Sequence, residues 1–309
     1  LRFDALEASE AIFRTRPLSK TALAAAALTL NAFVWGLSWW PFRALQILGL
    51  HPLWTTALIY TFALLCLALV QPRAWRGFLR HPELWWLLLA AGLTNVGFNW
   101  AVTVGDVVRV VLLFYLMPAW VVLLAWPLLR EKPTAGSLLR LTLSLTGVVI
   151  VLKTPASPWP VPESLADWLG LMAGFCFALT NILLRRLNHT PGESRMLAMF
   201  VGGALLASAA AVLGLGLNVV MPLPPPDLAW VAWVLLISLA FLAGNLALQY
   251  GAAHLSASAT SLIMLSEVIF ASGSSVLLGA GTLSTRTLIG GALIVLASLL
   301  SVLTFRQRS

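Results

Sequence analysis

The chain alternates long apolar runs with short polar breaks. Apolar runs lie near residues 22–41, 52–71, 84–104, 107–129 and 136–153, and a second set lies near 166–186, 196–216, 229–250, 257–279 and 286–305. Each approaches the roughly 20 residues that an α-helix needs to cross a bilayer core. In lipid every backbone polar group must be satisfied within the segment, so apolar runs of this length predict helices. The expected fold is therefore all-α, a polytopic membrane protein of ten transmembrane helices. The breaks carry turn and interface residues: His51-Pro52, Gln71-Pro72, Gly105-Asp106 and Glu131-Lys132-Pro133. The longest break, the Pro-rich stretch from Thr154 to Pro162, divides the chain near its middle, and Pro222 to Pro226 forms a second. The expected organisation is a polar cytosolic lead over 1–20, a five-helix unit over 21–153, a linker over 154–165 and a second five-helix unit over 166–306. No cleavable leader is expected, because the first run is long enough to span.

The two units resemble each other. Phe33, Trp35, Gly36, Leu37, Ser38 and Arg43 align with Phe175, Phe177, Ala178, Leu179, Thr180 and Arg185 at a constant offset. Asn99, Ala101 and Gly105 align with Asn245, Ala247 and Gly251, and the segment around Gly147 faces a similar one around Gly290. Five is odd, so the second copy enters the membrane from the opposite side. Two inverted five-helix repeats are a common transporter architecture, with the binding site between the repeats near the midplane.

Composition sharpens this picture. The 309 residues are 60% hydrophobic and only 10% charged, with mean hydropathy +0.92. A soluble domain carries about 25% charged residues. The net charge of +8 is spread singly or in pairs at the ends of apolar runs, which argues for membrane topology and against nucleic acid. With a cytosolic N-terminus, fifteen of the 19 cations fall on the cytosolic side, leaving Arg43, Arg109, Lys153 and Arg286 outside. Both termini are thus expected in the cytosol. Trp54, Trp75, Trp85, Trp126, Trp159 and Trp230 fall near helix ends, where interface anchors sit. Cys66 and Cys176 lie inside apolar runs and read as small buried hydrophobes. No Cys/His spacing suggests a metal site, and no cofactor is expected.

Several short motifs in order resemble the drug/metabolite transporter superfamily, EamA type, over nearly the whole chain. They are Asn31-Ala-Phe-Val-Trp-Gly-Leu-Ser in helix 1, Leu116-Met-Pro118 in helix 4, Arg130-Glu131-Lys132 and Thr134 after it, the Gly-rich span around Gly147, and Leu265-Ser-Glu267 in helix 9. Gly281 departs from the pattern, standing where the family often repeats the acid represented here by Glu131. Within the superfamily the chain looks most like the YddG-type exporters of aromatic and other amino acids. The resemblance implies a bacterial inner-membrane secondary transporter that exports small organic solutes.

Intramembrane polar groups are costly and usually face a cavity or a partner helix. Helical spacing puts Asn31, Trp35 and Ser38 on one face of helix 1, bordered by Trp39. Asn95 and Asn99 share a face of helix 3 beside Trp100. Phe177 and Asn181 share one on helix 6, and Phe241, Asn245 and Gln249 share one on helix 8. Thr260, Met264 and Glu267 share a face of helix 9, and Tyr115 stands one turn before Pro118. Amides accept from an ammonium and donate to a carboxylate, so a cavity walled by these residues suits a zwitterion with an apolar part. The competing reading is that the Asn and Ser side chains glue helices together. Glu267 reads either as a proton or ammonium site or as a brace between helices. Asp106 and Arg109 read as a gate pair or a surface pair. Pro118 interrupts the helix-4 ladder and is the candidate gating bend.

Other classes fit less well. An intramembrane lipid-modifying enzyme lacks a carboxylate pair, a metal spacing or a polar loop. A channel lacks a charged ring or filter. No P-loop suggests ATP drive. The sequence leaves open a range of drugs, nucleobases and other metabolites as solutes, and a monomer or an oligomer as the working unit.

Overall fold

In the computed structural model, residues 20–306 are described except Glu131, Pro133, 154–160 and Ser256. Residues 1–19 of the expected lead, Glu131 of the helix-4 motif, Trp159, most of the Pro-rich linker and Arg308 lie outside the described residues. Every regular element among the described residues is an α-helix. In order they are α1 (Lys20–Leu37), α2 (Trp39–Ile47), α3 (Pro52–Val70), α4 (Arg73–Arg80), α5 (Leu84–Val104), α6 (Val107–Phe114) and α7 (Met117–Leu129). They continue as α8 (Ala135–Leu152), α9 (Leu165–Arg186), α10 (Gly192–Gly216), α11 (Leu228–His254), α12 (Ala257–Met264), α13 (Ser266–Leu277) and α14 (Thr285–Arg306).

Among the described residues eight segments are long and apolar enough to cross a membrane, and Thr285–Leu300 is a shorter apolar helix. The pair α12–α13 completes ten spans. Three spans are broken in mid-course: α1–α2 at Ser38, α6–α7 at Tyr115–Leu116 and α12–α13 at Leu265.

Local signals explain most boundaries. Gly49 at φ 89° closes the end of α2 in the left-handed region that glycine tolerates. Pro52 opens α3 where its missing N–H is not needed, and the His51 ring caps the same helix from Leu53 N–H. Asp106 caps α6, Ser164 caps α9, and Thr134 with Ser137 forms a reciprocal cap on α8. Pro118 lies in the first turn of α7, so its missing N–H falls where a new helix begins rather than mid-ladder. The sequence placed the bend at Pro118; the chain breaks just before it.

The halves interlock as an inverted pair. Span α1–α2 runs antiparallel to α11: Leu28 meets Gly251, Asn31 meets Gly244 and Trp35 meets Phe241. Its repeat-mate α9 runs antiparallel to α5, with Leu169 and Ala173 against Gly97 and Ala166 against Gly105. The C-terminal ends of α2 and α5 meet where the Arg43 guanidinium donates to the carbonyls of Val102 (3.2 Å) and Gly105. So α1–α2 and α5 run one way and α9 the other, as two inverted copies require. Each copy's first helix also leans on the broken helix of the other. A Cβ on Gly36 would lie 2.9 Å from the Glu267 carbonyl, and one on Gly174 would lie 2.6 Å from that of Phe114. Small residues let backbones approach this closely. At Gly174 the neighbour is the carbonyl whose helical donor Pro118 cannot supply. Helices α8 and α14 cross at Gly147 and Gly290, where each glycine's absent Cβ would stand 2.6 Å from the other's carbonyl oxygen.

One element was not foreseen. The short α4 lies between two spans with Ala74 and Phe78 buried and its three arginines exposed. Trp230 also departs from the expected interface anchor, being buried, with its indole N–H donating to Pro225.

Candidate functional site

The helix breaks bring the central chemistry together. Leu116-Met117-Pro118 and Leu265-Ser266-Glu267 occupy corresponding positions in the two repeats, and each begins the second segment of a broken span. They meet across the molecule: the Tyr115 hydroxyl donates to Glu267 Oε2 at 3.3 Å. Tyr115 is buried and Glu267 half-buried. The Ser266 hydroxyl turns back onto the Ile263 carbonyl at 2.6 Å, satisfying an acceptor at the break. Ser38 does the same at its own break, donating to the Trp35 carbonyl at 2.7 Å. Beside it the Trp39 indole donates to Ser274 of α13 at 3.0 Å, and the Arg43 guanidinium lies 5.4 Å from the Trp39 ring.

An aromatic layer occupies the space between α1, α3, α10 and α11. Trp35 stacks on Phe241 at 4.5 Å, and Tyr60 stands 6.3 Å from Phe241 and 5.8 Å from Phe200. The Tyr60 hydroxyl donates to Asn95 at 2.7 Å. A second layer joins Phe98, Phe114 and Phe177. The sequence singled out Trp35, Phe177 and Phe241 but not Tyr60.

The remaining predicted residues divide by exposure. Asn31 and Asn99 are fully buried and tie helices together. Asn31 donates to the Gly244 carbonyl at 2.8 Å and Asn99 to the Thr56 hydroxyl at 3.2 Å. The amide oxygens of both are buried without a hydrogen-bond partner among the described residues. Trp100 sits off-centre, edge-on to His51 at 5.3 Å near one end of the bundle. Asn181 and Gln249 are exposed, and Trp35, Phe177, Asn245 and Glu267 are partly so. Asn181 reaches the Met117 sulfur at 3.7 Å, and Gln249 reaches that of Met196 at 2.8 Å. Asn181, Asn245 and Gln249 lie in the C-terminal halves of α9 and α11, toward the face that carries Arg73, Arg185 and Arg186.

The opposite end is sealed by polar links. Arg109 does not pair with Asp106 but makes a two-pronged contact with Asp167 at 2.7 and 2.9 Å, and also donates to the Val151 carbonyl. Asp106 caps α6 and accepts the N–H and hydroxyl of Thr282 at 2.8 and 3.0 Å. The Val107 N–H reaches the Ala280 carbonyl. Two clefts flank this seal: one of about 510 Å³ beside Arg43, Asp106 and Thr282, one of about 470 Å³ beside Arg109 and Asp167. They open at the end of the bundle, and neither is lined by Tyr115 or Glu267. Asp167 escaped notice in the sequence because it stands at the start of an apolar run, where an acid also serves the helix N-terminus. Among the described residues no group of three or more His, Cys, Asp or Glu side chains is placed to hold a metal.

Comparisons with known proteins agree with this architecture. Thirteen chains of solved structures match, among them a crystal structure that covers 93% of this chain and 98% of its own. Its TM-score is 0.56 at 18% identity, which is a likeness of fold. No curated protein matches by sequence. The EamA-like transporter family matches twice, over residues 22–153 and 164–303, one match for each repeat. The chain belongs to the EamA-like transporter family, whose members are membrane transporters of small solutes.

Proposed function

We propose that the protein exports small organic solutes, amino acids with aromatic side chains among them, from the cytosol by alternating access. The units that move are the two repeats, 21–153 and 166–306. The solute binds near the midplane against Trp35, Tyr115, Phe177, Asn181, Asn245, Gln249 and Glu267. Asn31, Ser38, Trp39 and Asn99 hold the helices around it, and the break before Pro118 bends as the ends close in turn. The membrane is a bacterial cytoplasmic membrane with both termini in the cytosol, as the loop cations favour.

One observation carries this reading. The breaks in corresponding helices of the two repeats meet at Tyr115 and Glu267, sealed on one side by the Asp106 and Arg109 contacts and flanked on the other by exposed amides. Broken helices at the repeat interface are where transporters of this architecture bind. Aromatic faces offer an apolar side chain a surface, and the amides and Glu267 offer an ammonium its acceptors.

The test is counterflow in proteoliposomes. Unlabelled amino acids are loaded singly and uptake of a labelled aromatic amino acid is followed. Saturable exchange absent from empty liposomes is the expected result. Trp35→Ala and Asn181→Ala should each weaken apparent affinity by roughly three- to tenfold, the scale of one lost aromatic contact or hydrogen bond. Absence of exchange with every amino acid overturns the substrate assignment, and drugs and nucleobases are then tried in the same vesicles.

A further inference from the structure

We propose that α4 is a docking surface for anionic phospholipid headgroups, through which the bilayer grips the α10 span. Of its eight residues, Arg-Ala-Trp-Arg-Gly-Phe-Leu-Arg, all but Gly77 fall around the helix into three stripes. At 100° per residue, Ala74 and Phe78 form one stripe, Trp75 and Leu79 the next, and Arg73, Arg76 and Arg80 a third. The first stripe is buried. The second is apolar yet exposed, Trp75 at 36% and Leu79 at 74%. The third is fully cationic and exposed.

A helix that presents an apolar stripe beside a cationic one fits the boundary between acyl chains and headgroups. Trp75 and Leu79 enter the acyl edge while the arginine stems let the guanidinium groups reach outward to phosphate. The exposed Trp85 and Trp86 at the start of α5 continue the apolar side. Among the described residues no carboxylate neutralises Arg73, Arg76 or Arg80. Glu83, the nearest acid in sequence, is taken by His81 at 3.1 Å and His189 at 3.4 Å. Guanidinium pairs well with phosphate oxygens, so an anionic lipid supplies the missing partner.

The helix is also fixed to the body of the protein. The Ser194 hydroxyl at the start of α10 donates to the Ala74 carbonyl at 3.0 Å. A Cβ on Gly77 would stand 2.1 Å from that same hydroxyl oxygen, so only glycine leaves room for the contact. Further along, α10 lies against α5, where a Cβ on Gly202 would stand 2.1 Å from the Leu88 carbonyl. A lipid held by α4 is therefore held to the tightly packed α5–α10 pair.

The experiment is lipid retention on the purified protein in detergent, read by native mass spectrometry with thermal unfolding alongside. Phosphatidylglycerol, phosphatidylcholine and inorganic phosphate are added in separate arms. Phosphatidylglycerol should be retained over phosphatidylcholine and should raise the unfolding temperature, with each arginine contributing about fivefold. Inorganic phosphate should give no shift, since it lacks the acyl chains. Retention should fall with added salt, a test that needs no variant. The triple change Arg73→Gln, Arg76→Gln and Arg80→Gln should abolish the preference, the triple Arg→Lys change should keep it, and Arg286→Gln at the opposite end should leave it intact. Equal retention of the two lipids, salt-insensitive retention, or undiminished retention by the triple Gln variant overturns the proposal. A shift with phosphate alone overturns the lipid as occupant. Because binding is read without flux, the result is independent of what the protein carries.

Discussion

The two halves of the fourth span, α6 and α7, are both apolar yet live in different surroundings. Every residue of α6 except Arg109 is buried, whereas α7 buries only Pro118 and Ala119. Helix α6 is enclosed by α5, α8, α9, α13 and α14, while α7 leans chiefly on α8 and α9. The break at Tyr115–Leu116 divides a sealed end of the bundle from a loosely held one. Hydropathy does not separate the halves; what surrounds them does.

The strongest test of the comparison is at the seal. Arg109→Ala leaves Asp167, only 2% exposed, without its cation, and should cost about 3–5 kcal/mol of stability. Thermal unfolding in detergent reads the loss. The double change Arg109→Met with Asp167→Leu should recover most of it. An unharmed single variant would mean that the pair does not hold this end shut. Next is packing. Leu113→Ala in α6, fully buried, should cost about 2–5 kcal/mol through the cavity it leaves. Leu123→Ala in α7, 46% exposed, should cost under about 1 kcal/mol by the same measurement. Equal losses would erase the contrast.

Smaller effects sharpen the comparison. With Cys66 and Cys176 replaced by serine, Asn181→Cys should react with a membrane-impermeant thiol reagent from the arginine-rich face. Leu112→Cys, in the sealed half, should stay protected. Thr282→Val removes one hydroxyl bond to Asp106, about 1 kcal/mol, and should speed labelling at position 112 by about fivefold. The least effect concerns pH. Burial lowers the His51 pKa from its ordinary 6.5. The neutral ring caps α3 through Leu53 N–H, and protonation of Nδ1 removes that acceptor. The associated stability is full above the ordinary value and is lost as pH falls below it through the lowered one. His51→Gln should flatten that part of the unfolding profile by less than about 1 kcal/mol.

Much of the architecture was legible because span length is a strong signal. The runs predicted near 52–71 and 84–104 are observed as Pro52–Val70 and Leu84–Val104. The weak offset between Gly147 and Gly290 became a physical contact. Tyr115 and Glu267, chosen from different repeats, lie within hydrogen-bond reach. Pro118 announced its own break, and Pro41, which has no N–H for the Leu37 carbonyl, marks the one at Ser38; no residue of this kind marks the break at Leu265. Helix α4 was missed because eight residues with three arginines form no apolar run. The partner of Arg109 was missed because no spacing rule joins residues 109 and 167. Where Asn31 and Asn99 point was also beyond the sequence, since helical spacing places a residue on a face without saying what lies opposite.

The reciprocal crossing of Gly147 and Gly290 has a kinematic consequence. A Cβ on either glycine would stand the same 2.6 Å from the other's carbonyl oxygen, so the close approach is its own image under the operation that exchanges the repeats. A point on the axis relating two rocking bodies is displaced least when they exchange conformations. For the rocking motion proposed above, the α8–α14 crossing would be the fulcrum, and a distance measured across it should stay constant while distances at both ends of the bundle change in opposite directions.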